Sequence, residues 1–125
     1  MKRMLVCGGR DYFDLERMTI FMREGAMRLG VVSPNDLLVI HGKARGADTL
    51  AGIVARASGV AVREFPADWT THGKRAGYVR NRRMLDEGAP DLVVAAPGGR
   101  GTDMMVEIAK KAGVPVLDFR NDAFS

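Results

Sequence analysis

Five short apolar segments rich in β-branched residues recur along the chain, at residues 4–7, 37–40, 60–65, 92–96 and 114–119. Continuous apolar runs of this length are typical of strands that are covered on both faces of a sheet. We therefore predict five buried parallel strands.

Segments with helical spacing lie between these strands. The first is marked by apolar residues three or four apart, namely Leu15, Met18, Met22, Ala26 and Leu29, and it is followed by Gly30. The other predicted helices, residues 49–58, 74–87 and 102–112, are each followed directly by glycine, which is common after the last helical turn. Strict alternation of strands and helices requires right-handed crossovers and places helices on both faces of a parallel sheet. The prediction is an α/β fold: a single Rossmann-like domain over residues 1–125, with a loosely held tail at 120–125.

Length and composition agree with that fold. A chain of 125 residues can bury a core of its own, and 46% hydrophobic with 27% charged residues is ordinary for a globular domain. No apolar run approaches the roughly 20 residues of a membrane helix, so we expect a cytoplasmic protein without membrane contact. The single cysteine, Cys7, is expected to be a buried apolar side chain. We expect neither metal nor cofactor, because His41 and His72 have no carboxylate or cysteine at metal-ligand spacing.

The positive charge is concentrated in four segments, residues 8–11, 41–48, 66–83 and 97–102. They hold nine basic and three acidic residues, whereas the rest of the chain holds ten basic and twelve acidic ones. Each segment follows one of the first four predicted strands. Ligands of open parallel sheets bind beyond the carboxyl ends of the strands, so these segments are expected to form one site for an anion.

Residues 97–102 carry the strongest signal within that site. Three glycines directly before a helix allow a phosphate to approach the free backbone amides of the first turn. Thr102 is expected to cap this helix or to donate its hydroxyl to the phosphate. Glycine turns at 8–9 and at 42–46 are further phosphate-compatible turns. Connections without any ligand are the alternative interpretation.

Three other features are candidates with open alternatives. Arg80 and Arg83 share a helical face, so one arginine pair would clamp a phosphate or would simply face solvent. Trp69 would stack on a base or pack against Pro66. Arg10 would bind the ligand or pair with Asp11. The ligand-binding candidates are Gly8, Gly9, Arg10, Gly42, Lys43, Arg45, Gly46, Asp48, Trp69, Arg80, Asn81, Pro97, Gly98, Gly99, Arg100, Gly101 and Thr102.

Together these motifs resemble the SLOG superfamily, and most closely its YspA-type branch of short single-domain proteins. The similar stretches are residues 6–11, 41–48, 65–69, 80–84 and 97–102. The resemblance implies a Rossmann-like fold that binds nucleotides or nucleotide-derived signals such as ADP-ribose species. Relatives in the superfamily include the Lonely guy (LOG) phosphoribohydrolases and the DNA-binding DprA proteins.

The LOG enzymes carry a Pro-Gly-Gly-x-Gly-Thr-x-x-Glu motif whose glutamate matters for catalysis, and here that position is Met105. Glu107 lies about 200° further around the helix and is expected to face elsewhere. A carboxylate stabilises the positive charge that builds on a sugar during cleavage of its glycosidic bond. The resemblance therefore leaves Arg80, Arg83 and Asp68 as catalytic candidates, with Asp48 and Asp103 as other sources of the acid.

The leading functional hypothesis is a nucleotide-binding sensor or sequestering protein, in which Asp48 or Asp68 takes ribose hydroxyls. A phosphoribohydrolase with a displaced acid is the alternative. Binding of single-stranded nucleic acid ranks third, because aromatic residues make up only 6% of the chain and such binding relies on stacking. We also expect a homodimer, joined through the Met-rich first helix or through the helix that holds Arg80.

Overall fold

All five strands pair in parallel in one sheet. A computed structural model describes residues 1–122. The strands are β1 (Lys2–Cys7), β2 (Leu37–His41), β3 (Ala61–Glu64), β4 (Leu92–Ala95) and β5 (Val116–Asp118), in the spatial order β3-β2-β1-β4-β5. The predicted α/β fold, a Rossmann-like five-stranded parallel sheet flanked by helices, is confirmed.

Helices cover both faces of this sheet. They are α1 (Leu15–Arg28), α2 (Ala47–Ala57), α3 (Trp69–His72), α4 (Ala76–Asp86) and α5 (Arg100–Lys111), with 3-10 turns at Pro34–Asp36 and Gly73–Arg75. Alternation along β1 separates two cores. Met4 and Val6 face α1 and α2, whereas Leu5 and Cys7 face α4 and α5. Cys7 is buried as expected, and burial raises the pKa of its thiol.

The outer strands depart from the prediction of full burial. In β3, Ala61 and Arg63 are exposed and Val62 and Glu64 are half-buried, and β5 is likewise only partly covered. Both are edge strands of the sheet, so helices cover them less completely than β1 and β4. The apolar pattern identified the strands, and the charged residues within the outer two, Arg63, Glu64 and Asp118, were the available signal of incomplete burial.

The chain is held in place as far as the described residues reach. Arg120 bonds to Asp118 and to Asp103 at 2.9 Å, and Asp122 pairs with Arg17 at 3.0 Å. The prediction of a loosely held tail is therefore wrong for residues 120–122, and residues 123–125 lie outside the described part of the chain. Within residues 1–122, no helix is long and apolar enough to cross a membrane.

The order of the strands reverses between β1 and β4. Because Cys7 pairs with Ala95, the loops that follow these two strands leave the sheet side by side. A reversal of this kind opens a crevice at the carboxyl edge of a parallel sheet, where ligands of such folds bind.

Candidate functional site

A cavity of about 830 Å³ occupies this crevice, within the range of small-molecule sites. The predicted site residues that line it are Gly8, Gly9, Arg10, Asp48, Trp69, Arg80, Asn81, Pro97, Gly98, Gly99, Arg100, Gly101 and Thr102. The topology thus brings residues from four separate loops to one place, as the sequence predicted.

The glycine turn after β1 serves packing. A side chain at Gly8 would come within 2.6 Å of the Ala47 Cβ, and one at Gly9 would lie 3.1 Å from the Gly98 Cα. The Gly9 amide donates to the Pro97 carbonyl at 2.8 Å, while the Gly9 carbonyl accepts from the Ala47 amide at 3.0 Å. These two bonds satisfy the first amide of α2 and the amide of Gly9. The turn therefore forms one wall of the cavity, but neither of these amides is available to a ligand.

The loop at 97–102 differs, because its amides are free. Helix α5 begins at Arg100 and not at Thr102, and its N-cap, Gly99, has no side chain to bond the first turn. Among residues 1–122 the amides of residues 100, 101 and 102 have no acceptor, and the first bonded amide is that of Asp103. Side chains at Gly99 and Gly101 would meet nothing within 4 Å. The first turn of α5 therefore has three unpaired backbone donors at residues that line the cavity.

Thr102 does not cap α5, and that prediction is wrong. It lies inside the first turn, buried, with its hydroxyl close to the position that a side chain at Gly98 would need. Glycine is an acceptable N-cap, and the first amides of any α-helix have no acceptor within the helix. The helix can therefore begin at Arg100 without a capping side chain. Thr102 therefore leaves no room for a side chain at position 98.

Arg80 and Asn81 connect three loops at the base of the cavity. The Arg80 guanidinium donates to the Gly42 carbonyl at 2.6 Å and to the Asn81 Oδ1 at 2.9 Å. The Asn81 Nδ2 donates in turn to the Gly101 carbonyl at 3.3 Å, and Asn81 is buried. Part of the guanidinium is therefore already bonded within the protein. Arg80 therefore links the loops around the cavity as well as lining it.

Asp48 is the buried acid of the cavity. Its Oδ2 accepts from the Ala44 amide at 3.1 Å, and only 7% of the residue is exposed. Burial raises the pKa of Asp48 to about 6, although the bond from Ala44 and the charge of Arg80 act in the opposite direction. The pKa of Asp48 thus lies closer to neutral pH than that of an ordinary aspartate.

Three exposed cations that line the cavity have no carboxylate partner among the described residues, namely Arg10, Lys74 and Arg100. The Arg10 guanidinium lies 5.6 Å from the centre of the Trp69 ring. The predicted pairing of Arg10 with Asp11 is not formed, because Asp11 pairs with Arg45 at 2.9 Å. Unpaired positive charge beside free amides favours an anionic ligand.

Six predicted site residues lie outside the cavity: Gly42, Lys43, Arg45, Gly46, Asp68 and Arg83. Lys43 and Arg45 are drawn to acidic side chains, those of Glu64 and Asp11. The glycines pack instead, since a side chain at Gly42 would collide with Arg80 and one at Gly46 with the Gly9 and Arg10 carbonyls.

The other two displaced residues are catalytic candidates of the sequence analysis. The Asp68 side chain caps α3 by accepting from the Thr71 amide at 3.0 Å. Arg83 pairs with Glu87 at 2.7 Å, on the outer face of α4 beside Phe65. Arg80 and Arg83 are three residues apart on α4, but only Arg80 reaches the site. The Arg80 guanidinium points inward toward Gly42, whereas Arg83 is held at the surface by Glu87.

Sequence reasoning missed one wall of the cavity, which comes from the segment before and within α4. Lys74, Gly77, Tyr78 and Met84 line it together with Asn81. Their spacing of three or four residues places them on one helical face. The sequence could have indicated this wall, because the same spacing starts from the predicted site residue Asn81. Cys7, Asp11, Tyr12, Ala44, Met104 and Met105 also line the cavity.

Met105 is fully buried, and Glu107 pairs with Lys111 on the exposed side of α5. The prediction that Glu107 faces away is confirmed. No cluster of metal ligands occurs among residues 1–122. His41 is buried, and its Nδ1 accepts from the Lys43 amide at 2.9 Å, which fixes the turn after β2.

The fold and the site define a class of protein: a small Rossmann-like domain with a glycine-rich loop and basic side chains at the strand-order reversal. The sequence profile of the YspA, cpYpsA-related SLOG family matches residues 2–72, and the chain belongs to this family. The Gene 61 protein of Mycobacterium phage D29 is 38% identical, over 95% of this chain and 97% of that protein. The X-ray structure of TM1055, a structural genomics target, superposes with a TM-score of 0.68 at 21% identity, over 93% of this chain and 72% of that one. The latter likeness supports the fold.

Proposed function

We propose that the protein binds a nucleotide or nucleotide-derived small molecule, such as ADP-ribose or a nucleoside phosphate, and acts as a sensor or sequestering protein. The observation that carries this proposal is the first turn of α5, whose three amides have no partner within the described chain. Backbone amides at a helix start favour phosphate over other ligands, because the helix dipole adds to their donors.

The surrounding charges support an anion at that position. Arg10, Lys74 and Arg100 line the same cavity without ion-pair partners among residues 1–122. A cavity of about 830 Å³ has room for a sugar and a base beside the phosphate. Membership of the SLOG family agrees with a nucleotide-related ligand.

A melting-temperature panel tests the proposal. ADP-ribose, AMP and ribose 5-phosphate are expected to stabilise the protein, by about 2.7 kcal/mol when the ligand is present at one hundred times its Kd. Mass spectrometry of small molecules released by heating the purified protein would identify a co-purified ligand. A panel at millimolar concentration without any shift would refute the proposed site.

Cleavage of the N-glycosidic bond of a nucleoside monophosphate is the second candidate function, and buried Asp48 favours it. In this reaction the bond between the base and the ribose C1′ breaks and water adds to C1′. An ionised carboxylate stabilises the positive charge that develops on the ribose in the transition state. Three acids were candidates to replace the missing glutamate. Asp48 lines the cavity, whereas Asp68 caps α3 and Asp103 pairs with Arg120.

The release of free base from AMP separates the two functions. Because Met105 stands at the position of the family's glutamate, we expect little or no release. Rapid turnover that is lost in Asp48→Asn and kept in Asp103→Asn would instead establish the hydrolase, since only the former side chain lines the cavity.

A further inference from the structure

Trp69 is the only tryptophan of the chain, and half of it is exposed. It lies on the wall of the cavity, at the first residue of the four-residue helix α3. Tryptophan buries more apolar surface than any other side chain when it packs into a core, so exposure at a cavity leaves considerable binding surface available.

Trp69 has neighbours on two sides, and much of its ring surface stays accessible. The end of its ring lies near α4, where a Cβ added at Gly77 would be 3.9 Å from the Trp69 Cη2. The neighbouring Tyr78 also lines the cavity and is 46% exposed. The Arg10 guanidinium lies over the Trp69 ring, 5.6 Å from its centre.

The contact with Arg10 identifies the kind of group that this ring accepts. A guanidinium is flat and delocalised, and it stacks on indole as a nucleobase does. Arg10 is also one of the unpaired cations that line the same cavity as the first turn of α5. When an anion attracts Arg10, the ring surface that the guanidinium covers becomes available to a flat group of the same ligand.

We propose that Trp69 is the stacking surface for the base of the bound nucleotide, and that Arg10 exchanges the Trp69 ring for the phosphate when the ligand binds. This inference rests on the proposed function, because it places the base of a ligand whose phosphate lies on α5. It assigns the cavity two subsites: donors and cations for the phosphate, and an aromatic surface for the base.

Calorimetric titration with AMP and with ribose 5-phosphate, which lacks the base, tests the inference. Stacking of one base on an aromatic side chain corresponds to roughly 5- to 150-fold in affinity. We expect AMP to bind tighter than ribose 5-phosphate by a factor in this range. Trp69→Ala should remove this difference and leave the affinity for ribose 5-phosphate within about twofold, while Trp69→Phe should keep most of it.

Phe13→Ala is the matched control, because Phe13 is an aromatic residue of similar exposure, 65%, that does not line the cavity. It should leave both affinities unchanged. Equal affinity for the two ligands in the unaltered protein, or AMP affinity that survives in Trp69→Ala, would overturn the base subsite while the proposed function stands. Failure of both ligands to bind would refute the proposed function together with the inference.

Discussion

Individual glycines around the cavity have different roles, and each role can be tested by substitution. Gly99 has a φ of −113° and open space where a side chain would begin. We predict that Gly99→Asp folds with nearly unchanged stability but abolishes binding, because a carboxylate would lie where the phosphate meets the α5 amides. Thermal unfolding and calorimetry with ADP-ribose measure the two effects. Unchanged affinity in the folded variant would show that the ligand lies elsewhere.

Gly98→Ala provides the contrast. Its Cβ would collide with the Thr102 hydroxyl and come within 2.7 Å of the Gly9 amide nitrogen. We expect a destabilisation of about 1–3 kcal/mol, as is typical when a packed region is overfilled. Chemical denaturation measures the loss, and a stability equal to that of the unaltered protein would contradict the close packing of the two loops.

Arg100 is predicted to bind the phosphate directly. Arg100→Ala should weaken ADP-ribose binding by about 1.5–3 kcal/mol, the usual range for a hydrogen bond to a charged group. Arg82→Ala is the control, because Arg82 pairs with Asp86 and does not line the cavity. Equal losses in both variants would attribute the effect to overall charge and not to a contact with the ligand.

Asp48 gives the stability of the protein a distinctive pH dependence. Its pKa is about 6 in the folded protein against 3.8 for an ordinary aspartate, so between these values the folded chain holds a proton that the unfolded chain has lost. The contribution of Asp48 to the free energy of unfolding therefore falls as pH rises from about 4 to 6, by a total on the order of 3 kcal/mol, and stays low above that.

Asp48→Asn, which cannot ionise, should consequently be more stable than the unaltered protein at pH 7.5 and nearly equal to it at pH 4. Denaturation curves at the two pH values measure this difference, and Asp103→Asn serves as an exposed control. A variant that is less stable at pH 7.5 would mean that attraction between Asp48 and Arg80 outweighs the cost of burying the charge.

At the scale of single elements, α3 depends on its cap. It has only four residues, and the Asp68 side chain bonds the Thr71 amide. Asn is as good an N-cap as Asp, whereas Ala is not. We predict that Asp68→Ala weakens AMP binding by misplacing Trp69, while Asp68→Asn preserves it. Calorimetric titration of both variants with AMP measures the two affinities. An equal loss of affinity in the two variants would show that Asp68 acts through its charge and not as a helix cap.

Element boundaries were predicted less accurately than the elements themselves. Helix α2 begins at Ala47, two residues before the prediction, because Gly46 has a φ of +74° and turns the chain into the helix there. The helix predicted over residues 74–87 begins only at Ala76, because residues 73–75 form a 3-10 turn. The short helix α3 was not predicted, and Gly73 with a φ of +55° ends it. Glycines at positive φ set these limits, and a sequence does not show which glycines adopt it.

At the scale of the whole molecule, the homodimer stays a prediction, and the outer face of α1 is the better candidate for its interface. A shallow groove there is lined by apolar and charged side chains, namely Ile20, Arg23, Glu24, Met27, Arg28 and Leu117, and Met27 is 72% exposed. The outer face of α4 is instead occupied by ion pairs of Arg82 and Arg83.

Light scattering should accordingly give twice the chain mass of 13.6 kDa. Met27→Glu should shift the mass toward that of one chain, because it places charge in an apolar contact. Ile53→Glu, an equivalent change at an exposed position of α2, should not. A monomeric mass for the unaltered protein would reject the dimer.

The sequence by itself determined the fold class and the place of the site. Apolar periodicity distinguishes buried strands from amphipathic helices, and strict alternation of the two leaves a parallel sheet as the solution. Loops that follow parallel strands share one edge, which is why thirteen of the predicted residues line one cavity. These inferences depend on local spacing and on chain connectivity, both of which are written in the sequence.

Only the tertiary structure decided which of the similar residues face the cavity. Gly9 and Gly99 look equivalent in sequence, but the amide of the first is bonded to Pro97, while the second begins a helix turn whose amides are free. Lys43 pairs with Glu64, a partner that no local pattern indicated, whereas Arg83 pairs with Glu87 at the i,i+4 spacing of a helix. Hydrogen bonds and ion pairs between distant segments consume some donors and leave others available, and that selection exists only once the chain has folded.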